Sequence, residues 1–181
     1  MKMKLSNIAL ATMMAVFSFS VFDAQATDTH NGTVTFNGKI IDTPCSVSQD
    51  DLAQTIEFGE ISKTVLEGGG TSVIKPFDIT LKDCSIETST SAKVVFSGGT
   101  AAGTNNKLLA LHGTAGGAGI AVLYSGEKVS FDGATAAVSN YKLVNGDNTL
   151  SFTSYVQKLP TDTDVTTGNF ESTANFVISY E

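Results

Sequence analysis

Along most of this chain apolar and polar residues alternate with a period of two, in short runs separated by turn residues. Residues 33–41 alternate, and residues 54–58 continue the pattern. Residues 73–84 are the longest case, with Phe77, Ile79 and Leu81 on one side and Asp78, Thr80 and Lys82 on the other. Residues 92–96, 119–124, 128–131, 149–158 and 170–180 are further runs of this kind. Successive side chains of a strand point to opposite faces, so each run offers one face to a core and one to water. Helical spacing is weak everywhere; residues 50–52 and 106–111 have room for a single turn each. Gly68-Gly69-Gly70, Gly98-Gly99, Gly116-Gly117, Asp132-Gly133 and Asn145-Gly146-Asp147-Asn148 supply turn residues between the runs. Residues 98–119, rich in Gly, Ala and Thr, read as a long exposed loop with at most a short strand. The expected class is all-β, an antiparallel sandwich or barrel.

The first 26 residues read as an export signal. Lys2 and Lys4 give a basic start, residues 8–21 are apolar, and Ala24-Gln25-Ala26 supplies a small-x-small cleavage pattern. The apolar run is shorter than the ~20 residues that a bilayer requires. Residues 27–181 are then the exported chain, a size that suits one domain with a real core.

The whole chain carries a net charge of −7 and no arginine. Phosphate recognition leans on Lys/Arg patches and on the bidentate guanidinium, so nucleic acid is not an expected partner, nor is an acidic lipid surface. A dispersed acidic surface reads as solubility. Cys45 and Cys84 are the two cysteines of a chain that leaves a reducing cytosol, and an intramolecular disulfide is expected. It closes a loop of about 40 residues, worth roughly 4 kcal/mol against the unfolded state. Zinc needs further ligands of this kind, and neither His30 nor His112 lies near the cysteines in sequence.

Catalysis finds little support. His30 lies in a polar lead-in and His112 in the Gly-rich stretch, neither beside a nucleophile motif. Carboxylates are scattered along the polar sides of the runs, which suits a solvated surface better than an acid–base pair. The glycine-rich segments lack the Gly-x-x-x-x-Gly-Lys pattern of a phosphate cradle. The expectation is no enzyme, no cofactor, no metal and no small-molecule substrate.

The two ends of the exported chain are more informative. In residues 32–40, Gly32, Val34, Phe36, Gly38 and Ile40 share one face, and Thr33, Thr35, Asn37 and Lys39 the other. This can be the first strand of the domain's own sheet. At the other end Phe170, Ala174, Phe176, Ile178 and Tyr180 share a face ahead of Glu181, and an ordinary core strand is again one reading. Yet a chain that stops on its last core strand has nothing left to cover that strand's next edge, and unpaired edges have to be covered or blunted. Some other strand is expected there.

The residues Thr-Val-Thr-Phe-Asn-Gly-Lys-Ile-Ile-Asp-Thr-Pro-Cys-Ser-Val at 33–47 resemble the start of chaperone–usher pilins, most of all the rod pilins of P pili. Ile56-Glu57-Phe58-Gly59 and residues 77–84 and 174–180 extend the likeness over essentially all of the exported chain. A penultimate Tyr180, and Gly168 as the fourteenth residue from the end, are specific details of it.

The resemblance implies an immunoglobulin-like sandwich that lacks its last strand and is completed by donor-strand complementation. It implies a signal peptide at 1–26, an N-terminal extension at 27–42 and a pilin domain at 43–181. A periplasmic chaperone would fill the groove first, pairing with the strand from Gly168 to Glu181 and anchoring the terminal carboxylate. At an outer-membrane usher the extension of another subunit would replace it. Gly32, Val34, Phe36, Gly38 and Ile40 would face the neighbour's groove, Gly38 at a shallow position, and Gly32 adds little where many pilins are more apolar. Cys45 and Cys84 would form the family's disulfide. The implied product is an extracellular fimbrial rod of a Gram-negative bacterium, with a minor or adaptor subunit or one-domain adhesin as the alternative. A two-domain adhesin would need a lectin domain for which the chain has no room.

Overall fold

Valine, isoleucine and phenylalanine at every second position fit a pleated, half-buried surface. In a computed structural model, whose described residues are 31–40, 42–161 and 164–181, most of these runs are antiparallel strands. The export signal read at 1–26 and His30 lie outside the described residues. The chain divides into two units, Met1–Lys39 and Ile40–Glu181.

The second unit carries, in chain order, β1 (Ser46–Val47), a 3-10 turn (Gln49–Asp51), α1 (Lys63–Glu67), β2 (Lys75–Cys84), β3 (Ser91–Gly98), β4 (Leu109–Ala110) and β5 (His112–Gly113). Then come β6 (Ala118–Tyr124), β7 (Glu127–Lys128), β8 (Asp132–Lys142), β9 (Gly146–Lys158), β10 (Phe170–Glu171) and β11 (Ala174–Tyr180). One sheet has the order β1-β2-β9-β6-β4, with β7 beside β6; a second has the order β11-β3-β8; β5 and β10 form a small pair. Ile79 and Leu81 of β2 and Leu150, Phe152 and Val156 of β9 bury their side chains from the first sheet. Ala92, Val94 and Phe96 of β3 and Val138 of β8 do so from the second. Phe96 meets Phe152 edge-on, with ring centroids 5.3 Å apart. All belong to one core cluster, each large side chain contributing about 1.5–3 kcal/mol by leaving water.

Cys45 and Cys84 form the disulfide, both buried, and tie the start of β1 to the end of β2. The ladder between β2 and β9 shifts register between Leu81 and Cys84, where Asp83 takes a left-handed φ of 52°.

The structure differs from the periodicity at several places. Residues 54–58 alternate but form no strand, because no backbone ladder joins them to a neighbour. Of residues 128–131 only Lys128 is in a strand, although Val129 and Phe131 are buried. Asp132-Gly133, read as a turn, instead opens the eleven-residue β8. Residues 170–180 break at Ser172 and Thr173 into β10 and β11. Residues 106–111 hold no helical turn, and residues 98–119 are not an exposed loop: they carry β4 and β5 and bury Leu108 and Leu109. The short helix α1 had no periodic signal; buried Leu66 anchors it, and Lys63 pairs with Glu67 at 3.3 Å.

In the first unit residues 31–39 form neither helix nor strand. Val34 is 75 % exposed and Phe36 89 %.

Candidate functional site: an apolar groove beside the last strand

β11 pairs with β3 from Ala174 opposite Gly98 to Tyr180 opposite Ala92. Its other edge has no strand partner among the described residues. The consequence is visible in burial. Val94 and Phe96 on β3 are fully covered, whereas Ala174, Phe176, Ile178 and Tyr180, turned to the same core, are only half-buried. Their inner face is packed on one side and bare on the other.

Residues 51–59 make the facing wall. β1 stops at Val47, and side chains then carry the chain on along the edge of β2. The Thr80 N–H donates to Asp51 Oδ2 at 2.6 Å, and Gln54 Nε2 donates to the Asp78 carbonyl at 2.6 Å. Ile56 and Phe58 follow, both half-buried. Between the walls lies a groove of about 670 Å³, floored by Phe77, Ile79, Phe96, Leu109, Ile120 and Val122. Phe96 leans on Phe176 at 6.2 Å between centroids, Phe77 stacks on Phe152 at 5.3 Å, and Phe58 reaches Phe170 at 6.4 Å. A second hollow of about 500 Å³ under α1 shares Gly59, Gly168, Asn169 and Phe170 with it. A hollow floored by apolar side chains and rimmed by polar ones is a candidate binding place. Its length along a strand edge, with an unused row of backbone donors and acceptors, suits an extended polypeptide.

Most of the C-terminal residues singled out from sequence lie on this groove. Gly168, Phe170, Ala174 and Phe176 line it, and Ile178 and Tyr180 continue the same face of β11. Burial pushes the Tyr180 phenol up from its ordinary value. The Glu181 N–H donates to the Ser91 carbonyl, and the Glu181 carbonyl accepts from the Thr90 and Ser91 N–H groups. Gly168 also has a local role. A Cβ there would come within 2.7 Å of the Thr114 and Ala115 backbone. Next to it the Asn169 carbonyl accepts from the N–H groups of both those residues. Gly32, Val34, Phe36, Gly38 and Ile40 are all exposed. His112 is exposed on β5. Among the described residues no group of three or more His, Cys, Asp or Glu is placed to hold a metal ion.

A family model described as fimbrial protein matches residues 34–181. The chain belongs to the fimbrial protein family. This fimbrial protein is 38% identical over 180 residues to the Fimbria A protein of Serratia marcescens, covering 99% of this chain and 100% of that one. It is 37% identical to the Pap fimbrial major pilin protein of Escherichia coli, covering 97% and 98%. Its fold superposes on a chain of a chaperone–usher pilus with a TM-score of 0.76 at 36% identity, covering 84% and 96%. It superposes on the P pilus rod subunit PapA with a TM-score of 0.70 at 34% identity, covering 77% and 100%. The fold is the immunoglobulin-like pilin sandwich, and the relatives are structural subunits.

The floor and the wall at 51–59 were beyond the sequence reading. Alternation marked Phe77, Ile79 and Phe96 as core, but nothing in a period of two says which core side chains are left without a cover. The one available signal was the missing partner for the C-terminal strand, which points to the groove and not to its lining.

Proposed function

We propose that this fimbrial protein is the polymerising subunit of an extracellular pilus rod. Each copy receives the N-terminal extension of a second copy in the groove beside β11. One pairing of features carries the reading: a bare strand edge over an apolar groove, in the same chain as an alternating extension whose Val34, Phe36 and Ile40 are exposed. Inserted as a strand, the extension buries Val34, Phe36 and Ile40 for roughly 5–9 kcal/mol before entropy losses. Each new backbone hydrogen bond adds about 1 kcal/mol net. The sum is comparable with a whole domain's stability of about 5–15 kcal/mol, so release is slow and the fibre lasts. Gly38, without a side chain, would take the shallow position that the family resemblance implies.

Before assembly the same edge needs a temporary cover. A periplasmic chaperone supplies a strand against residues 168–181, and an outer-membrane usher is where the next subunit's extension displaces it. Export through the periplasm follows from the signal read at residues 1–26. The acidic, arginine-free surface suits a solvated rod.

Phe36→Asp tests the reading. The variant is expected to be exported at the normal level and to leave cells without filaments in electron micrographs. Normal filaments would remove the extension from the groove and the proposal with it.

A further inference from the structure

The chain contains three Asn-Gly steps, Asn31-Gly32, Asn37-Gly38 and Asn145-Gly146, and all six residues are exposed. Such a step can rewrite itself. The Gly nitrogen loses its proton and attacks Cγ of the asparagine side chain, forming an N–C bond. The bond from Cγ to the amide nitrogen breaks and ammonia leaves. The resulting five-membered imide takes up one water and opens to aspartate, or to isoaspartate, in which the chain runs through the former side chain. Glycine suits the attack because no Cβ crowds the nitrogen and its backbone swings freely. A hydrogen-bonded strand slows it, because the ladder has to open before the attack.

Exposure is the same at the three steps, but restraint is not. Asn145 Oδ1 accepts from the Ile86 N–H at 3.0 Å, and Gly146 is paired with the disulfide-bonded Cys84 in the ladder between β2 and β9. The side chain under attack is held by its hydrogen bond, and the glycine that follows stands in a ladder opposite a disulfide-bonded residue. Asn37 and Gly38 lie in no strand, and a Cβ built on Gly38 would meet nothing within 4 Å. Neither has a hydrogen bond among the described residues.

We propose that Asn37-Gly38 is a self-modification site that ages the unassembled subunit and is shielded by assembly. The proposal rests on the donor-strand reading. Isoaspartate at 37 inserts one backbone carbon between Phe36 and Ile40. Strand faces alternate strictly, so the two side chains then no longer enter the groove together. A subunit that waits too long loses its ability to donate, while one already in the fibre has its Gly38 nitrogen fixed in a ladder.

The test uses the exported chain with its groove filled by a synthetic peptide of residues 31–42 carrying Asn31→Gln and Asn37→Gln. Only the subunit's own extension then reports. This soluble subunit and assembled fibres are incubated side by side at mildly alkaline pH. Aspartate and isoaspartate at positions 31, 37 and 145 are followed by peptide-mapping mass spectrometry. In the soluble subunit Asn37 is expected to convert at least about tenfold faster than Asn145, the factor that opening one or two hydrogen bonds around Asn145 imposes. The aged subunit is expected to donate poorly to fresh subunits, whereas Asn37→Gln donates as well after ageing as before. Equal rates at Asn37 and Asn145, or full donation by subunits carrying isoaspartate 37, would overturn the proposal. Conversion of Asn37 as fast in fibres as in the soluble subunit would overturn the donor-strand reading beneath it. The comparison with Asn145 decides the chemistry separately.

Discussion

Asp132 decides how β8 begins. Its Oδ1 accepts from the Ala134 and Thr135 N–H groups at 2.8 and 2.7 Å, and its Oδ2 accepts from the Thr135 hydroxyl at 2.6 Å. These bonds favour the carboxylate and hold its pKa far below the usual range, the Thr135 hydroxyl first among them. A depressed folded-state pKa stabilises above the unfolded value, and that stabilisation is lost as pH falls through the folded one. Asp132→Asn is therefore expected to unfold in less urea than the parent chain at neutral pH, by a modest margin for so exposed a group. The gap should close on acidification below about 4. A gap that stays constant with pH would refute this. Asp132-Gly133 also shows where residue types mislead. Aspartate and glycine are turn formers, with Gly133 at φ +73°, but here the turn sits at the head of a strand. Cys45 and Cys84 were legible because there was no other pair to make.

Strands with a strong apolar alternation and a neighbour were legible. β2, β3, β6 and β9 fall where the pattern puts them, give or take a few residues. β8 was not, because its Ala, Thr and Ser carry little contrast and its pairing with β3 makes it a strand. Residues 54–58 fail in the opposite sense, with the pattern of a strand and no partner. β11 falls between: partnered on one side, bare on the other. Its far end is held by three backbone hydrogen bonds of Glu181 with Thr90 and Ser91. Deleting Tyr180 and Glu181 removes these, at about 1 kcal/mol net each, from an element already short of contacts. The expected result is several-fold less subunit in the periplasm by immunoblot, with the surviving fraction forming few filaments. An unchanged amount would mean that the end of β11 takes no part in holding the subunit or in its capture.

At the scale of the molecule, the alternation pointed to a sandwich or a barrel, and the fold adds the bare edge and the groove beside it. Residues 51–59 and β11 face each other across a floor of core side chains, so the groove is the gap a further strand would fill. That could not be read from the chain, since a groove depends on which elements end up opposite each other. The central claim is that the subunit is completed by polypeptide from another copy. The most direct measurement is the thermal unfolding of the exported chain with residues 27–42 deleted, alone and with a saturating peptide of residues 31–42. The account predicts a labile chain whose Tm rises steeply with peptide, as ligand binding to the folded state alone requires, and a complex that barely dissociates. A deleted chain that is already stable, and whose Tm the peptide leaves unmoved, would contradict it.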